Sequence, residues 1–110
     1  GLEMNVVGKE YGQSIEILKY NDFKGAPCMV SADGVVADEN GKKIVKAGTP
    51  WPANDGTCKG ILLHDTDVTY GEAPGTYVFE GSIDNVKLAK NGVTVAEEAK
   101  AVLPRVTFFD

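Results

Sequence analysis

Within four residues, His64-Asp65-Thr66-Asp67 places one imidazole and two carboxylates, the donor types that bind divalent metals. In an extended segment His64 and Thr66 point one way and Asp65 and Asp67 the other, so the three donors do not converge unless the chain bends. The sequence has one histidine, leaving no second imidazole to complete such a site. Cys28 or Cys58 beside His64 would supply a thiol and a base, yet neither cysteine lies in a sequence with a nucleophile signature. Asp38-Glu39-Asn40-Gly41 carries oxygen donors and a glycine but not the alternating ligands and terminal glutamate of a calcium loop. Glu97 and Glu98 are adjacent on an expected helix and diverge, and no glycine-rich phosphate loop opens a helix. On this reading there is no catalytic residue, no cofactor-binding residue and no metal site. Turn chemistry explains the same side chains.

The bulk properties narrow the classes further. The 110 residues suit one domain, and the formal net charge of -5 opposes the basic face that nucleic-acid binding requires. No apolar run approaches the roughly 20 residues of a membrane-spanning helix, and no signal-peptide pattern opens the chain. An opening at Gly1 without Met fits a processed product or a fragment. Two cysteines are too few for a disulfide scaffold and wrongly spaced for a zinc knuckle. Two reduced, partly buried thiols are expected, with one Cys28–Cys58 disulfide as the alternative.

The elements that must position these groups are mostly strands. Residues 1–12 read as a loosely held arm, and the alternation in Ser14–Tyr20 predicts a strand. Asn21–Gly25 predicts a turn, Pro27–Ser31 a short buried strand, and Ala32-Asp33-Gly34 another turn. Asn40-Gly41 predicts a type I′ hairpin from which Ile44 and Val45 continue. Ala47–Thr57, with Pro50, Pro52 and the turn formers Gly48, Asn54, Asp55 and Gly56, predicts a long shaped loop holding Trp51 as a buried anchor or an exposed contact. Lys59–Leu63 reads as a buried strand, Thr69–Gly75 as a loop, and Thr76–Glu80 as a strand with Tyr77 and Phe79 packed in the core. Ile83–Leu88 suggests a short helical turn. Thr94 and Glu97 fit a capping box opening a helix on whose buried face Ala96, Ala99, Val102 and Leu103 lie, with Pro104 as the stop. Val106–Phe109 closes the chain as a strand. The fold class is mainly β, a β-rich α+β single domain of short strands and long structured loops with one or two short helices.

The order KGAPCMV, a hairpin, IVKAGTPWPANDGTCKGILLHDTDVTYGEAPGTYVFEGSIDNVKL, and VAEEAKAVLPRVTFF resembles the head-decoration (capsid-stabilising) proteins of tailed bacteriophages, the lambda decoration-protein-like family. The resemblance covers roughly residues 24–109 and is densest in AGTPWPANDGTCKGILL. It implies a virion structural protein that binds the outer surface of the expanded capsid as a homotrimer, contacts the major capsid protein and stabilises the shell. It implies assembly in the bacterial host cytoplasm and a place on the virion surface, without enzymatic activity, nucleic acid or membrane. Residues 1–20 would be an N-terminal arm or edge strand, with Ser14, Ile15, Glu16, Ile17 and Leu18 binding capsid, and 21–110 the decoration domain. Trp51 and Pro52 are interface candidates. The alternatives are the capsid-anchoring base of a head fibre, a fused capsid module, and a metal-dependent ligand-binding domain around His64, Asp65 and Asp67.

Overall fold

The computed structural model describes residues 17–110, apart from the side chain of Asn21. Its spine is an antiparallel ribbon of two long strands, β1 (Leu18–Val30) and β6 (Ala73–Asp84). On the far side of β6 lies β4 (Gly60–Leu62), and beyond it β3 (Pro50–Trp51), giving the order β1-β6-β4-β3. Further along β6, β7 (Val106–Phe109) pairs in parallel. A parallel pair cannot be joined by a tight turn. The connection is supplied by α1 (Asn85–Lys90) and α2 (Glu97–Ala101). A separate two-stranded sheet joins β2 (Ile44–Val45) to β5 (Thr66–Asp67). The β-rich single domain expected from the sequence is the fold observed.

The apolar run of β4 is explained by burial on both faces. Ile61 and Leu63 enter a main core with Ile17, Leu18, Val78, Ile83, Leu88, Ala99, Leu103 and Val106, between the sheet and the helical connection. Leu62, one residue out of phase, enters a second cluster with Val30 and Val68, flanked by Cys28, Val35, Val45 and Trp51. Because side chains alternate along a strand, a strand covered on two sides has no polar phase.

Several local expectations are corrected. Asn21–Gly25 does not turn the chain. It lies within β1, where the register jumps between Leu18 and Phe23 and again between Lys24 and Gly25. Bulges take up extra residues without reversing the strand. Pro27–Ser31 is the tail of that strand, and among Pro27, Cys28, Met29, Val30 and Ser31 only Val30 is fully buried. Ile17 and Leu18 are core residues, 0% and 2% exposed, so the domain begins before residue 21 and these two are not part of a detached arm.

Asn40-Gly41 forms a turn but not a type I′ hairpin, because no non-glycine residue among those described has a positive φ. Asp38 instead organises this loop, its Oδ1 accepting from the backbone N–H groups of Asn40 and Lys42 at 2.8 and 2.9 Å. Ile44 and Val45 then pair with Asp67 and Thr66. The Ala32–Gly34 turn forms as expected, closed by the Val35 N–H to the Ala32 carbonyl.

Tyr77 and Phe79 flank the fully buried Val78 and point to the opposite face, half-buried, where they form an aromatic row. Ile83 and Asp84 finish β6, and α1 starts after them, capped by the Asp84 carboxylate on the Val86 and Lys87 N–H groups. The capping box at Thr94 is absent, since the cap of α2 is Ala96 and no side chain of its own bonds there. Asn54, forty residues away, does that work: its Oδ1 accepts from the Ala96 N–H at 2.7 Å and its Nδ2 donates to the Thr94 carbonyl at 2.9 Å. On the predicted helical face Ala99 and Leu103 are buried, while Val102 is exposed because the helix has ended at Ala101. Asn54→Ala is expected to cost about 1–2 kcal/mol, the cost of a lost cap and of unpaired polar groups at a helix start. Chemical denaturation checks it, with Asn54→Asp retaining only the acceptor half.

Candidate protein-docking surface

The groups with chemical potential are spent on turns. Asp65 Oδ1 accepts from the Ala47 N–H at 2.7 Å, tying the strand end to the loop before β3. Asp67 Oδ1 accepts from both the backbone N–H and the hydroxyl of Thr69, and Asp55 does the same with Thr57. These are two copies of one Asp-x-Thr device. His64 is exposed. Among the described residues no three His, Cys, Asp or Glu side chains converge. Both thiols are free, Cys58 buried with its Sγ donating to the Gly60 carbonyl at 3.3 Å. Burial pushes both thiols above their ordinary pKa, the reverse of what a thiolate nucleophile requires.

Hydrogen bonds from the threonine hydroxyl, then from its backbone N–H, hold the Asp55 and Asp67 carboxyls below the ordinary carboxylate pKa. A pKa lowered by folding stabilises the native state fully above the unfolded value, about 3.9 for Asp, and that contribution is lost as pH falls through the native value. The unfolding midpoint of the wild type is therefore expected to fall more steeply below about pH 4 than that of Asp67→Ala. Parallel acid slopes in thermal melts across pH 2–6 would remove this account.

Trp51 resolves as an anchor. Its indole Nε1 donates to the Met29 carbonyl at 3.0 Å, and its ring stacks on Tyr77 with centroids 4.9 Å apart and planes 17° from parallel. It is half-buried, while the following Pro52 is exposed. Of the two interface candidates, Pro52 is thus the one whose surface is open.

The surface that could receive another protein lies along β1. Among the described residues β1 pairs only with β6, so its other edge carries backbone groups free of the sheet. The tail of that edge is blunted. The Thr76 carbonyl accepts from Leu63 on the β4 side, so Thr76 and its partner Pro27 do not bond each other and the missing N–H of Pro27 faces outward. The Met29 carbonyl is already engaged by Trp51.

At the head of β1 the Leu18 carbonyl accepts from Lys87 Nζ at 3.1 Å and the Tyr20 N–H donates to Ser82 Oγ at 3.0 Å, so what sets it apart is its side chains. Here Tyr20 and Phe23 are 59% and 38% exposed, and Tyr20 meets Phe109 edge to face at 5.7 Å. They border a shallow groove of about 670 Å³ floored by Gly81 and Ser82. Lys24 and Arg105 line it and share one carboxylate, Glu80, at 3.9 and 3.7 Å. No periodicity in the sequence marks this groove, because it is made by a bulge in β1 and by a strand that returns from the far end of the chain. The expected capsid-binding residues divide: Ile17 and Leu18 are in the core, whereas Ser14, Ile15 and Glu16 lie outside the described residues. No protein-family model, curated protein or solved structure matches the chain.

Proposed function

We propose that this protein is a non-enzymatic virion structural protein that docks as a homotrimer on the outer surface of an expanded bacteriophage capsid and stabilises it. Its partner is the major capsid protein, and neither nucleic acid nor membrane takes part. The observation that supports the reading best is the head of β1, an unpaired strand edge beside aromatic side chains and a polar-rimmed groove. Exposed backbone at a sheet edge gives main-chain hydrogen bonds to an incoming strand, and flanking apolar pockets give selectivity. Partly exposed aromatics within a polar rim are the composition of protein interfaces. The block that carries the resemblance, AGTPWPANDGTCKGILL, supports the same reading. It builds the anchored Trp51 loop and the doubly covered strand β4, the frame that holds β6 and through it β1. The acidic balance disfavours phosphate backbones.

Binding only to the enlarged lattice would stabilise that state by mass action. The test mixes the protein with expanded and unexpanded shells assembled from bacteriophage major capsid proteins. Saturable binding in multiples of three, confined to expanded shells and raising their thermal disruption temperature, is the expected result. Equal binding to both shells, or none, would end the proposal.

A further inference from the structure

The chain contains two Asn-Gly pairs, Asn40-Gly41 and Asn91-Gly92. In this dipeptide the backbone nitrogen can attack the preceding side-chain amide with least hindrance, because glycine has no Cβ beside that nitrogen. The fold treats the two pairs differently. Residues 36–42 are exposed without a break, and among the described residues no hydrogen bond holds the Asn40 side chain. Asn91 Nδ2 donates to the Ala47 carbonyl at 3.0 Å, and its backbone N–H caps the end of α1 on the Lys87 and Leu88 carbonyls. The next N–H but one, that of Val93, returns to the Leu88 carbonyl, where Leu88 is buried in the main core and Val93 packs against it.

We propose that Asn40 is a site of spontaneous covalent modification in the folded protein, deamidation through a cyclic imide, and that tertiary contacts protect Asn91 from the same reaction. The inference stands apart from the docking reading. The Gly41 backbone nitrogen gives up its proton and bonds to Asn40 Cγ. The bond from Cγ to Nδ2 then breaks, and the leaving nitrogen takes the proton and departs as ammonia. One water opens the ring at either of its two carbonyls, leaving aspartate or isoaspartate. Solvent water is the only co-reactant.

Both glycine N–H groups are engaged, Gly41 with the Asp38 carbonyl at 2.9 Å and Gly92 with the Ala89 carbonyl at 3.0 Å. Each pair therefore reacts only after its turn has opened, and the cost of opening separates them. Opening residues 38–42 releases bonds within that loop alone: the Asn40 and Lys42 N–H groups leave Asp38 Oδ1, and the Asp38 N–H leaves the Lys42 carbonyl. Opening Asn91-Gly92 strips the end of α1 and draws Val93 off the core. Asp38 thus governs the exposed site, since it closes the turn and its negative charge opposes deprotonation of the Gly41 nitrogen. Either product adds a negative charge beside Asp38 and Glu39. Isoaspartate also lengthens the backbone by one carbon atom, so the loop cannot close again in register.

Incubating the full chain in mildly alkaline buffer, followed by tryptic mass mapping, tests this. In the native protein the peptide carrying Asn40 should gain one mass unit at least tenfold faster than the peptide carrying Asn91, and fragmentation should locate isoaspartate at residue 40. In denaturant the two pairs should convert at similar rates. Asp38→Ala should speed conversion at Asn40 roughly threefold or more and leave Asn91 unchanged. Equal native rates at the two pairs, or a native chain intact at Asn40 when the denatured chain has converted, would overturn the proposal. An Asp38→Ala rate equal to that of the wild type would overturn the role given to Asp38.

Discussion

Deleting residues 1–20 is expected to unfold the domain, whereas deleting residues 1–16 spares every core contact described. Ile17 and Leu18 are among the most deeply buried side chains, packed with Ile61, Val78 and Ile83. Removing such a side chain costs about 2–5 kcal/mol, so losing both removes roughly 4–10 kcal/mol. A domain of this size has about 5–15 kcal/mol in total. The backbone loses as well, since the Asp84 N–H donates to the Ile17 carbonyl at 2.8 Å and Lys87 Nζ to the Leu18 carbonyl at 3.1 Å. Near-ultraviolet circular dichroism and a thermal melt decide the matter. A 21–110 fragment melting cooperatively within a few degrees of the full chain would show that the two residues are dispensable. The comparison also separates folding from docking. A 17–110 fragment that stays folded but binds expanded shells far more weakly would assign the arm role to the residues before Ile17.

Gly60→Ala is expected to be nearly as damaging. A Cβ at this position would lie 2.5 Å from the Val78 carbonyl oxygen and 2.5 Å from Cδ2 of Tyr77. The oxygen belongs to a paired strand and cannot step aside without opening β4 from β6. The Tyr77 ring is held against Trp51, and the missing side chain at Gly60 is what lets the two rings stack across β4. Forcing a methyl group into such a contact costs about 3 kcal/mol. That corresponds to a fall in Tm of roughly 12 °C or more. Gly56→Ala is the control, because a Cβ there meets nothing within 4 Å. Equal melting of the two variants would contradict the close packing of β4 on β6.

The β-rich class, the buried run at residues 60–63 (of the expected 59–63, only Lys59 is exposed), the Ala32–Gly34 turn and the final strand follow from sequence alone, because each depends on local alternation, on turn residues or on a proline stop. So does the use of the Asp67 carboxylate in a turn, which needs a partner only two residues on. Only the tertiary structure decided the rest. The Asn21–Gly25 segment carries turn residues yet stays extended, because β6 supplies a partner along its length and bulges absorb the excess. Thr94 and Glu97 match a local capping pattern, but Asn54 arrives from another loop and takes the helix start. Tyr77 and Phe79 have the alternation of core residues, and alternation cannot say which of two faces is the covered one. The groove at the head of β1 joins residues from both ends of the chain, through a bulge and a parallel strand brought back by a helical connection. Pattern within a window reports what a segment can do with its neighbours in sequence. Which strand lies beside it, and hence which edge stays open, is settled by contacts 65 and 89 residues apart, between Leu18 and Ile83 and between Tyr20 and Phe109.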